Sequence, residues 1–198
     1  MGINNSKEGK LLYHLTELDN LDSILENGLL SRRIIKESKV GFLDVADQEI
    51  MSERIAMGLD EYIPFHFHPY SAFDVAVKNT FSEEDFIYIC ITRDLARSNE
   101  FKILSKHPLS SEEFILYDFD EGLNIIDWDT MHITGTTDKY SRNVKMAECL
   151  TTLAIPAKCI HCIYVKDENT KVLVEEKLKN KGVDFPPPYV NVQSVWFI

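Results

Sequence analysis

Glu148 is a carboxylate that stands in an apolar stretch of the sequence. Residues 143–150 read NVKMAECL, so the neighbours of Glu148 are Val144, Met146, Ala147, Cys149 and Leu150. An ionised carboxylate is costly to bury among such side chains unless it is paired or hydrogen-bonded. Two interpretations follow. Glu148 lies on the solvated side of an amphipathic helix, or it faces a cleft as a catalytic carboxylate.

Cys159 and Cys162 are a second candidate for chemistry. They form a CxxC pair with His161 inside it, which has the residue types and spacing of half a zinc site. The nearest second pair of ligands is His66 and His68 in FHFHP. Because free thiols in apolar strands also behave as small buried side chains, we favour two buried thiols and expect no metal.

The charge of the chain limits the kind of partner. The 198 residues carry a formal net charge of −11, which argues against general polyanion binding because nucleic-acid affinity depends on neutralising phosphates. Basic residues nevertheless cluster at 32–39 and at 139–145. A nucleic-acid substrate would therefore be contacted over a small, local surface.

Length and hydropathy predict one cytoplasmic domain over residues 1–198. No apolar run approaches the ~20 residues of a membrane span, so no membrane partner is expected. The N-terminal MGINNSKEGK lacks the apolar centre of a signal peptide. A chain of this length is long enough to bury a core as a single domain.

The elements that must position these residues are short strands and helices. Alternating apolar and β-branched residues predict strands, most clearly in FIYICITR. The predicted strands are 10–15, 61–68, 86–93, 101–105, 114–119 and 159–166, and an extended segment closes the chain.

The helix predictions rest on caps and apolar periodicity. One helix is predicted to begin at Thr16 as its N-cap, with Asp19 in a capping-box-like position, and to end at Gly28 in a left-handed cap. Another is predicted over 137–153 and contains Glu148. The other predicted helical segments are 71–79, a turn around Trp128, and 169–182. Residues 44–57 have a helical pattern with a short apolar stripe, which is compatible with a helix or with a segment that is partly loop.

Strands interleaved with helices at irregular spacing indicate an α+β fold rather than a doubly wound sheet. The sequence contains neither a GxGxxG fingerprint nor a Walker-type phosphate loop. Any bound nucleotide must therefore be held in another way.

Three stretches in order, 13–30, 44–69 and 143–150, resemble the DarT family of toxins. The first is similar to that family's Y-H-x-T-x-x-x-N-L-x-x-I-L-x-x-G-L pattern, and the second to an arginine-bearing loop followed by V-P-F-x-F-x-P. The third resembles the glutamate motif Q-A-E-F-L-V. The resemblance covers nearly the whole chain, and its specificity lies in the order of the motifs.

The resemblance implies a single-domain ADP-ribosyltransferase-like fold, with mixed central β-sheets and flanking helices. It implies NAD as co-substrate and transfer of ADP-ribose to a base, most readily in single-stranded DNA. It also implies a macrodomain antitoxin partner that removes ADP-ribose. RNA or protein as acceptor, or a non-catalytic module that binds NAD and nucleic acid, are the alternatives.

Residue roles follow from the resemblance position by position. Glu148 matches the catalytic glutamate, and Arg54 matches the loop arginine of the catalytic and NAD-binding site. His14 and Thr16 match the motif that holds nicotinamide and its ribose. The residues matching the part that closes over the dinucleotide are Asn20, Gly28, Leu29 and Leu30.

Two positions are expected to contact the nucleic acid. Arg142, six residues before Glu148, stands where the family has a basic residue. Tyr70 replaces a family arginine, in FHFHPYSAF instead of FYFxPRSPM, so the target pocket is expected to differ. Tyr70, with Phe65 and Phe67, would offer aromatic faces for stacking on a base or on nicotinamide.

The chemistry requires negative charge beside the ribose as the nicotinamide bond breaks. Glu148 would supply that charge and bind the 2′-hydroxyl, or act as general base toward the acceptor. We expect burial among apolar neighbours to raise the pKa of Glu148. Arg54 would provide a fixed fork of donors, which lysine cannot copy.

Overall fold

Among the residues that the structure describes, seven strands form a mixed β-sheet at the centre of the fold. The structure is a computed structural model that describes residues 6–39, 41–42, 48–110, 114–135, 138–183, 186 and 188–197. The strands are β1 (Leu11–Glu17), β2 (Ile63–His66), β3 (Phe86–Thr92), β4 (Lys102–Leu104), β5 (Glu148–Thr151), β6 (Cys162–Val165) and β7 (Tyr189–Val192). Their spatial order is β4-β5-β2-β1-β3-β6-β7, and only β6 and β7 pair in parallel. The predicted α+β class is confirmed.

Helices connect these strands over the described residues. They are α1 (Leu21–Asn27), α2 (Arg32–Ser38), α3 (Gln48–Ala56), α4 (Ala72–Thr80), α5 (Arg93–Ser98), α6 (Phe119–Ile125), α7 (Trp128–His132), α8 (Lys139–Lys145) and α9 (Glu168–Asn180). The predictions for 71–79, Trp128 and 169–182 are confirmed by α4, α7 and α9. For 44–57, α3 confirms the later part, while 44–47 lie outside the described residues. None of the helices described has the length and apolar character needed to cross a membrane.

The predicted helix start at Thr16 is wrong, because Thr16 belongs to β1. That strand pairs with β3 without interruption from Leu11 opposite Thr92 to Glu17 opposite Phe86. Six of the seven residues of β3 are buried, and β1 forms a ladder with this buried strand along its whole length. This pairing outweighs the local capping pattern, and α1 begins only at Leu21, after a short 3₁₀ turn.

The predicted helix over 137–153 is also wrong in its second half. Helix α8 ends at Lys145, and Glu148 is the first residue of β5. Strand β5 lies between β2 and β4 and is hydrogen-bonded on both edges. The apolar segment around Glu148 is short, and its sequence alone is compatible with either a helix or a strand. Pairing with the two flanking strands makes it a strand. Glu148 therefore lies in the sheet and not on a helix face.

Two other strand predictions need correction. Within 114–119 only Tyr117 pairs, in an isolated bridge with Ile103, and α6 begins at Phe119. The strand predicted from residue 159 begins at Cys162, because residues 157–159 form a 3₁₀ turn that follows Pro156. Both segments are apolar, and their neighbours in the fold determine how much of each becomes a strand.

Candidate active site

A cavity of about 500 Å³ opens beside β1 and β2, a volume typical of small-ligand sites. It forms where these two strands separate: they share one register pair, Tyr13 with His66. Pro64 of β2 has no N–H to donate to a sheet ladder. The wall of the cavity includes His14, Thr16, Arg54, His66, Asp74 and Glu148.

Arg54 and Glu148 form a two-hydrogen-bond pair in this wall. The guanidinium Nη1 of Arg54 donates to Glu148 Oε1 at 2.9 Å, and Nη2 donates to Oε2 at 3.1 Å. Both residues are buried, at 7% and 4% exposure. Arg54 comes from the last turn of α3, and Glu148 is set by its register opposite His66 in β2 and Leu104 in β4. The carboxylate is therefore held in one orientation by a planar fork and a sheet.

The pKa of Glu148 is lowered, so the expectation that burial would raise it is wrong. Burial does act to raise the pKa. The charge and hydrogen bonds of Arg54, together with His66 and His107, outweigh burial and make the net direction downward. Glu148 is thus an ionised carboxylate at neutral pH. That state suits a group that stabilises positive charge and does not suit a general acid.

His14 crosses the gap between the separated strands. Its Nδ1 lies 2.8 Å from the Pro64 carbonyl oxygen, and since a carbonyl only accepts, Nδ1 is the donor. Burial lowers the pKa of His14 to about 4, with the Pro64 carbonyl and Asp74 acting in the opposite direction. The ring is therefore neutral, and its Nε2 is a hydrogen-bond acceptor in the cavity wall.

Thr16 lies in the cavity wall two residues after His14 in β1. The side chain of Asn20 forms a hydrogen bond with it. The Asn20 side-chain Nδ2 donates to Thr16 Oγ1 at 3.2 Å. Because the hydroxyl oxygen accepts from Asn20, its own proton is directed elsewhere. Asn20 is buried and lies outside the cavity lining. The structure thus places Asn20 as a residue that orients Thr16.

Gly28 and Leu29 lie beside the site but not in its lining. Gly28 has φ +83° and ψ 168°, so the predicted left-handed cap is wrong in ψ, although the helix does end there. A Cβ at this position would lie 2.9 Å from the Ile155 carbonyl oxygen, which only glycine avoids. Leu29 exchanges two backbone hydrogen bonds with Ile155. The next residue, Leu30, does line the cavity.

Of the two expected nucleic-acid contacts, Arg142 lines the cavity and Tyr70 does not. Arg142 lies on α8 with Lys139 and Asn143, which share its cavity-facing side. Tyr70 is exposed, and the Lys78 ammonium lies 4.8 Å from its ring centroid.

Two of the three predicted stacking residues have no free ring face. Phe65 and Phe67 are 0% and 2% exposed and belong to the main core. Their expected stacking role is therefore wrong.

Sequence reasoning missed His107 and Asp74 in the cavity wall. His107 follows β4, and its Nδ1 accepts from the Leu109 N–H at 3.2 Å, so its neutral ring carries the proton on Nε2. Burial lowers the pKa of His107, while the charge of Glu148 acts to raise it. No local pattern marks a histidine in a loop. Asp74 stands three residues after Ser71, and this spacing is typical of a capping box. That pattern could have drawn attention to Asp74.

The cysteines lie apart from the cavity. Cys90 and Cys162 face each other across β3 and β6 and are buried, whereas Cys159 is partly exposed in the preceding turn. In the part of the chain that the structure describes, no group of three or more His, Cys, Asp or Glu residues is arranged to hold a metal ion.

Sequence and structure comparisons give one consistent result. The family model "DarT: ssDNA thymidine ADP-ribosyltransferase, DarT" matches residues 13–198. A curated protein of Thermosipho africanus (strain H17ap60334), named "DNA ADP-ribosyl transferase-DNA ADP-ribosyl glycohydrolase fusion protein", is 27% identical over 197 residues. The alignment includes 89% of the chain and 47% of that relative, so the chain spans about half of the relative's length.

Solved structures share the fold at lower identity. "Thermus sp. 2.9 DarT in complex with ADP-ribosylated ssDNA" superposes with a TM-score of 0.82 at 21% identity, covering 96% of this chain and 97% of that one. "Thermus sp. 2.9 DarT in complex with NAD+" gives a TM-score of 0.77 at 20% identity, with 96% and 98% covered. The predicted fold is therefore confirmed.

Proposed function

The chain belongs to the DarT family, and from that premise we propose that it transfers ADP-ribose from NAD to a base in single-stranded DNA. The observation that carries the proposal is the buried Arg54–Glu148 pair, which shares one cavity with His14 and Thr16. A transferase of this kind needs a fixed negative charge beside the ribose and donors and acceptors that hold the dinucleotide. The described cavity offers both.

Glu148 is the catalytic residue of this proposal. Arg54 occupies one lone pair on each carboxylate oxygen, and each oxygen retains another that can accept from the 2′-hydroxyl of the ribose. Glu148 places its negative charge next to the carbon where positive charge develops as the nicotinamide bond breaks. With its pKa lowered, it is ionised while the nicotinamide bond breaks, and it can then accept the proton that the target base loses.

Arg54 orients the catalytic carboxylate, and His14 and Thr16 bind parts of NAD in this proposal. The Arg54 fork fixes the plane of the Glu148 carboxylate, and we assign its positive charge to the attraction of the pyrophosphate. His14 presents Nε2 as an acceptor, while its Nδ1–H is held by Pro64. Thr16 presents a hydroxyl oriented by Asn20. We assign these two side chains to the nicotinamide and its ribose.

The acceptor strand is assigned to the side of the cavity formed by α8. Lys139 and Arg142 line the cavity there, and the chain as a whole is acidic. A short basic surface on an acidic protein supports a contact of a few nucleotides. Tyr70, which stands where the family has arginine, is outside the cavity lining, so we propose that it touches a flanking nucleotide.

The decisive experiment compares wild type with Glu148→Gln in the presence of labelled NAD. Pools of single-stranded DNA, RNA of the same sequences, and a protein extract serve as separate acceptors, and Glu176→Gln on the exposed side of α9 is the control. We expect labelling of DNA by wild type and the control, and loss of at least about 100-fold with Glu148→Gln. Labelling of RNA alone, or of protein alone, would show that the acceptor is not DNA. NAD binding without any transfer would indicate a non-catalytic module.

We propose that the chain is a toxin whose product is reversed by a partner. This is supported by the name of the Thermosipho relative, which joins a transferase to an ADP-ribosyl glycohydrolase. In this proposal residues 1–198 are one transferase domain that acts in the cytoplasm, where NAD and single-stranded DNA are available. Growth arrest on expression, rescued by co-expression of an active ADP-ribosyl glycohydrolase, would support it. Equal growth of wild type and Glu148→Gln would contradict it.

A further inference from the structure

Helix α2 contributes to the cavity wall although none of its seven residues, all of which the structure describes, is buried. Arg32 and Ile35 line the cavity from this helix. Burial is the main cause of the lowered pKa of His14, and the charge of Arg32 acts in the same direction. Helix α2 therefore faces the part of the cavity that we assign to NAD. A helix without buried side chains gains less from the hydrophobic effect than a core helix does, so its position depends on other contacts.

Arg33 connects α2 with the turn that leads into β2. Its Nη2 donates to Asp60 Oδ1 at 2.9 Å, and its Nε donates to Asp60 Oδ2 at 3.2 Å. A further hydrogen bond runs from its Nη1 to Glu61 Oε1. Asp60 and Glu61 belong to a 3₁₀ turn, Leu59–Glu61, just before β2. Two parallel hydrogen bonds to one carboxylate fix both the distance and the relative orientation of the two segments.

The turn that receives Arg33 is anchored in the core. Leu59, next to Asp60, is buried and forms a cluster with Leu104 of β4 and Leu150 of β5. Strand β5 is the strand that also carries the catalytic carboxylate of the proposed function. Arg33 thus joins a helix at the surface to a turn that is fixed against the central sheet.

The pair is charged and partly open to water. The hydrogen bonds from Arg33 hold the pKa of Asp60 below its usual value, against the effect of partial burial, and Lys36 adds a smaller attraction. The side chain of Arg33 is 40% exposed, and that of Asp60 is 10% exposed. An ion pair with one exposed partner is screened by salt and contributes modestly to stability. The contact is therefore strong enough to hold a short helix and weak enough to be broken.

The pair lies behind the cavity wall. Neither Arg33 nor Asp60 belongs to the cavity lining, whereas Arg32 and Tyr62 do. The pair therefore joins two parts of the wall of one cavity. A substitution within the pair changes how α2 is held without removing a side chain that lines the cavity.

Arg54 lies between Arg33 and Asp60 in the chain, but it is held independently of α2. Its guanidinium makes two hydrogen bonds with Glu148, and the buried Leu59 follows it closely in the sequence. Loss of the Arg33–Asp60 pair should therefore release α2 and leave the Arg54–Glu148 pair in place.

We propose that Arg33 is a positioning residue, and that its pair with Asp60 holds α2 and Arg32 in place for the binding of NAD. The choice of NAD as the ligand rests on the proposed function. When the pair is lost, α2 leaves the cavity wall in a larger fraction of the molecules. The apparent affinity for a ligand falls with the fraction of molecules in which its site is complete. The chemical step keeps its rate, since the Arg54–Glu148 pair is unchanged.

Steady-state kinetics of ADP-ribose transfer from NAD to single-stranded DNA would compare wild type with Arg33→Gln, Asp60→Asn and the double variant. Each substitution removes one charge and keeps a polar side chain. Arg97→Gln is the matched control, because Arg97 Nε lies 2.8 Å from Asp120 Oδ1 in an exposed ion pair between α5 and α6. Neither residue of that control pair lines the cavity.

We expect KM for NAD to rise roughly 3- to 10-fold in Arg33→Gln, with kcat within about twofold of wild type. Asp60→Asn should also raise KM, and it should add little when it is combined with Arg33→Gln. The difference between wild type and Arg33→Gln should shrink in about 1 M salt, because screening weakens a partly exposed pair. Equal KM values, independent effects in the double variant, or a fall in kcat without a change in KM would overturn the inference.

Hydrogen exchange of the protein without ligand tests the position of α2 directly. The amide protons of residues 35–38 should exchange roughly 3- to 10-fold faster in Arg33→Gln than in wild type, with unchanged rates in β1 and β5. Unchanged exchange in α2, or faster exchange throughout the chain, would overturn the role in positioning. A wild type that does not bind NAD would contradict the proposed function, whereas a wild type that binds NAD with the same KM as Arg33→Gln would contradict this inference alone.

Discussion

Arg54 and Glu148 are 94 residues apart in the chain and meet through two hydrogen bonds of 2.9 and 3.1 Å. Arg54 lies in the last turn of α3, and Glu148 is the first residue of β5. Their pairing lowers the pKa of Glu148 against the effect of its burial. The site is therefore built around a carboxylate that is ionised at neutral pH, and this has consequences for stability as well as for activity.

Removal of one partner of the Arg54–Glu148 pair should lower the free energy of unfolding more than removal of both. Arg54→Met leaves Glu148 charged and unpaired, so we expect a loss of about 3–5 kcal/mol in the free energy of unfolding. Arg54→Met combined with Glu148→Leu should recover most of that loss, since no buried charge remains. Urea denaturation of the two single variants and the double variant measures this coupling. Additive losses would contradict a direct pair.

Arg54→Lys tests whether the fork, and not only the charge, is needed. A lysine ammonium keeps the positive charge but cannot donate two parallel hydrogen bonds. We expect roughly 10- to 100-fold lower transfer from NAD, because misorientation of the carboxylate weakens charge stabilisation in the transition state. Arg97→Lys on exposed α5 is the control. Wild-type rates in Arg54→Lys would show that charge alone suffices.

His14 should make stability fall as the solution is acidified from pH 6.5 to 4. Burial lowers the pKa of folded His14 from 6.5 to about 4, so between these values the unfolded chain binds a proton that the folded protein does not. Stability therefore rises with pH across this window, by at most about 1.4 kcal/mol per pH unit. Urea unfolding at several pH values should show a shallower slope for His14→Gln. An identical slope would mean that His14 is not buried in its neutral form.

Gly28→Ala should destabilise the protein by about 1–3 kcal/mol. Alanine meets both a positive φ and the Ile155 carbonyl, which would lie 2.9 Å from its Cβ. Gly182→Ala provides the control, because Gly182 has a φ of +66° with open space around it and pays only the backbone cost. Thermal unfolding of both variants gives the difference. Equal losses of stability in the two variants would mean that the contact with the Ile155 carbonyl does not destabilise Gly28→Ala.

Lys139→Gln with Arg142→Gln should weaken nucleic-acid binding without changing NAD binding. Both residues line the side of the cavity formed by α8, and each lost phosphate contact should reduce the salt dependence of binding by about one counterion. Fluorescence anisotropy of a labelled single-stranded oligonucleotide at several salt concentrations measures the slope. Lys179→Gln, exposed on α9, should behave as wild type. An unchanged slope in the double variant would place the acceptor strand elsewhere.

The sequence by itself determined the family and most of the elements. Residues 13–30 and 143–150 carry the family motifs, and the β-branched FIYICIT run formed the buried strand β3 that its pattern predicts. Caps that depend on neighbouring residues alone, such as Ser71 at α4, were also readable. These features are local, so a few adjacent side chains suffice to specify them.

Only the tertiary structure decided the state of the site. Thr16 became part of a strand because β3 pairs with it, and Glu148 entered a strand because β2 and β4 flank it. The direction of the Glu148 pKa depends on Arg54, which no local pattern connects to it. Asp74 likewise joins the cavity wall only through the way α4 packs in the fold. Charge energies depend on distance and burial in three dimensions, and neither is encoded in the spacing of residues along the chain.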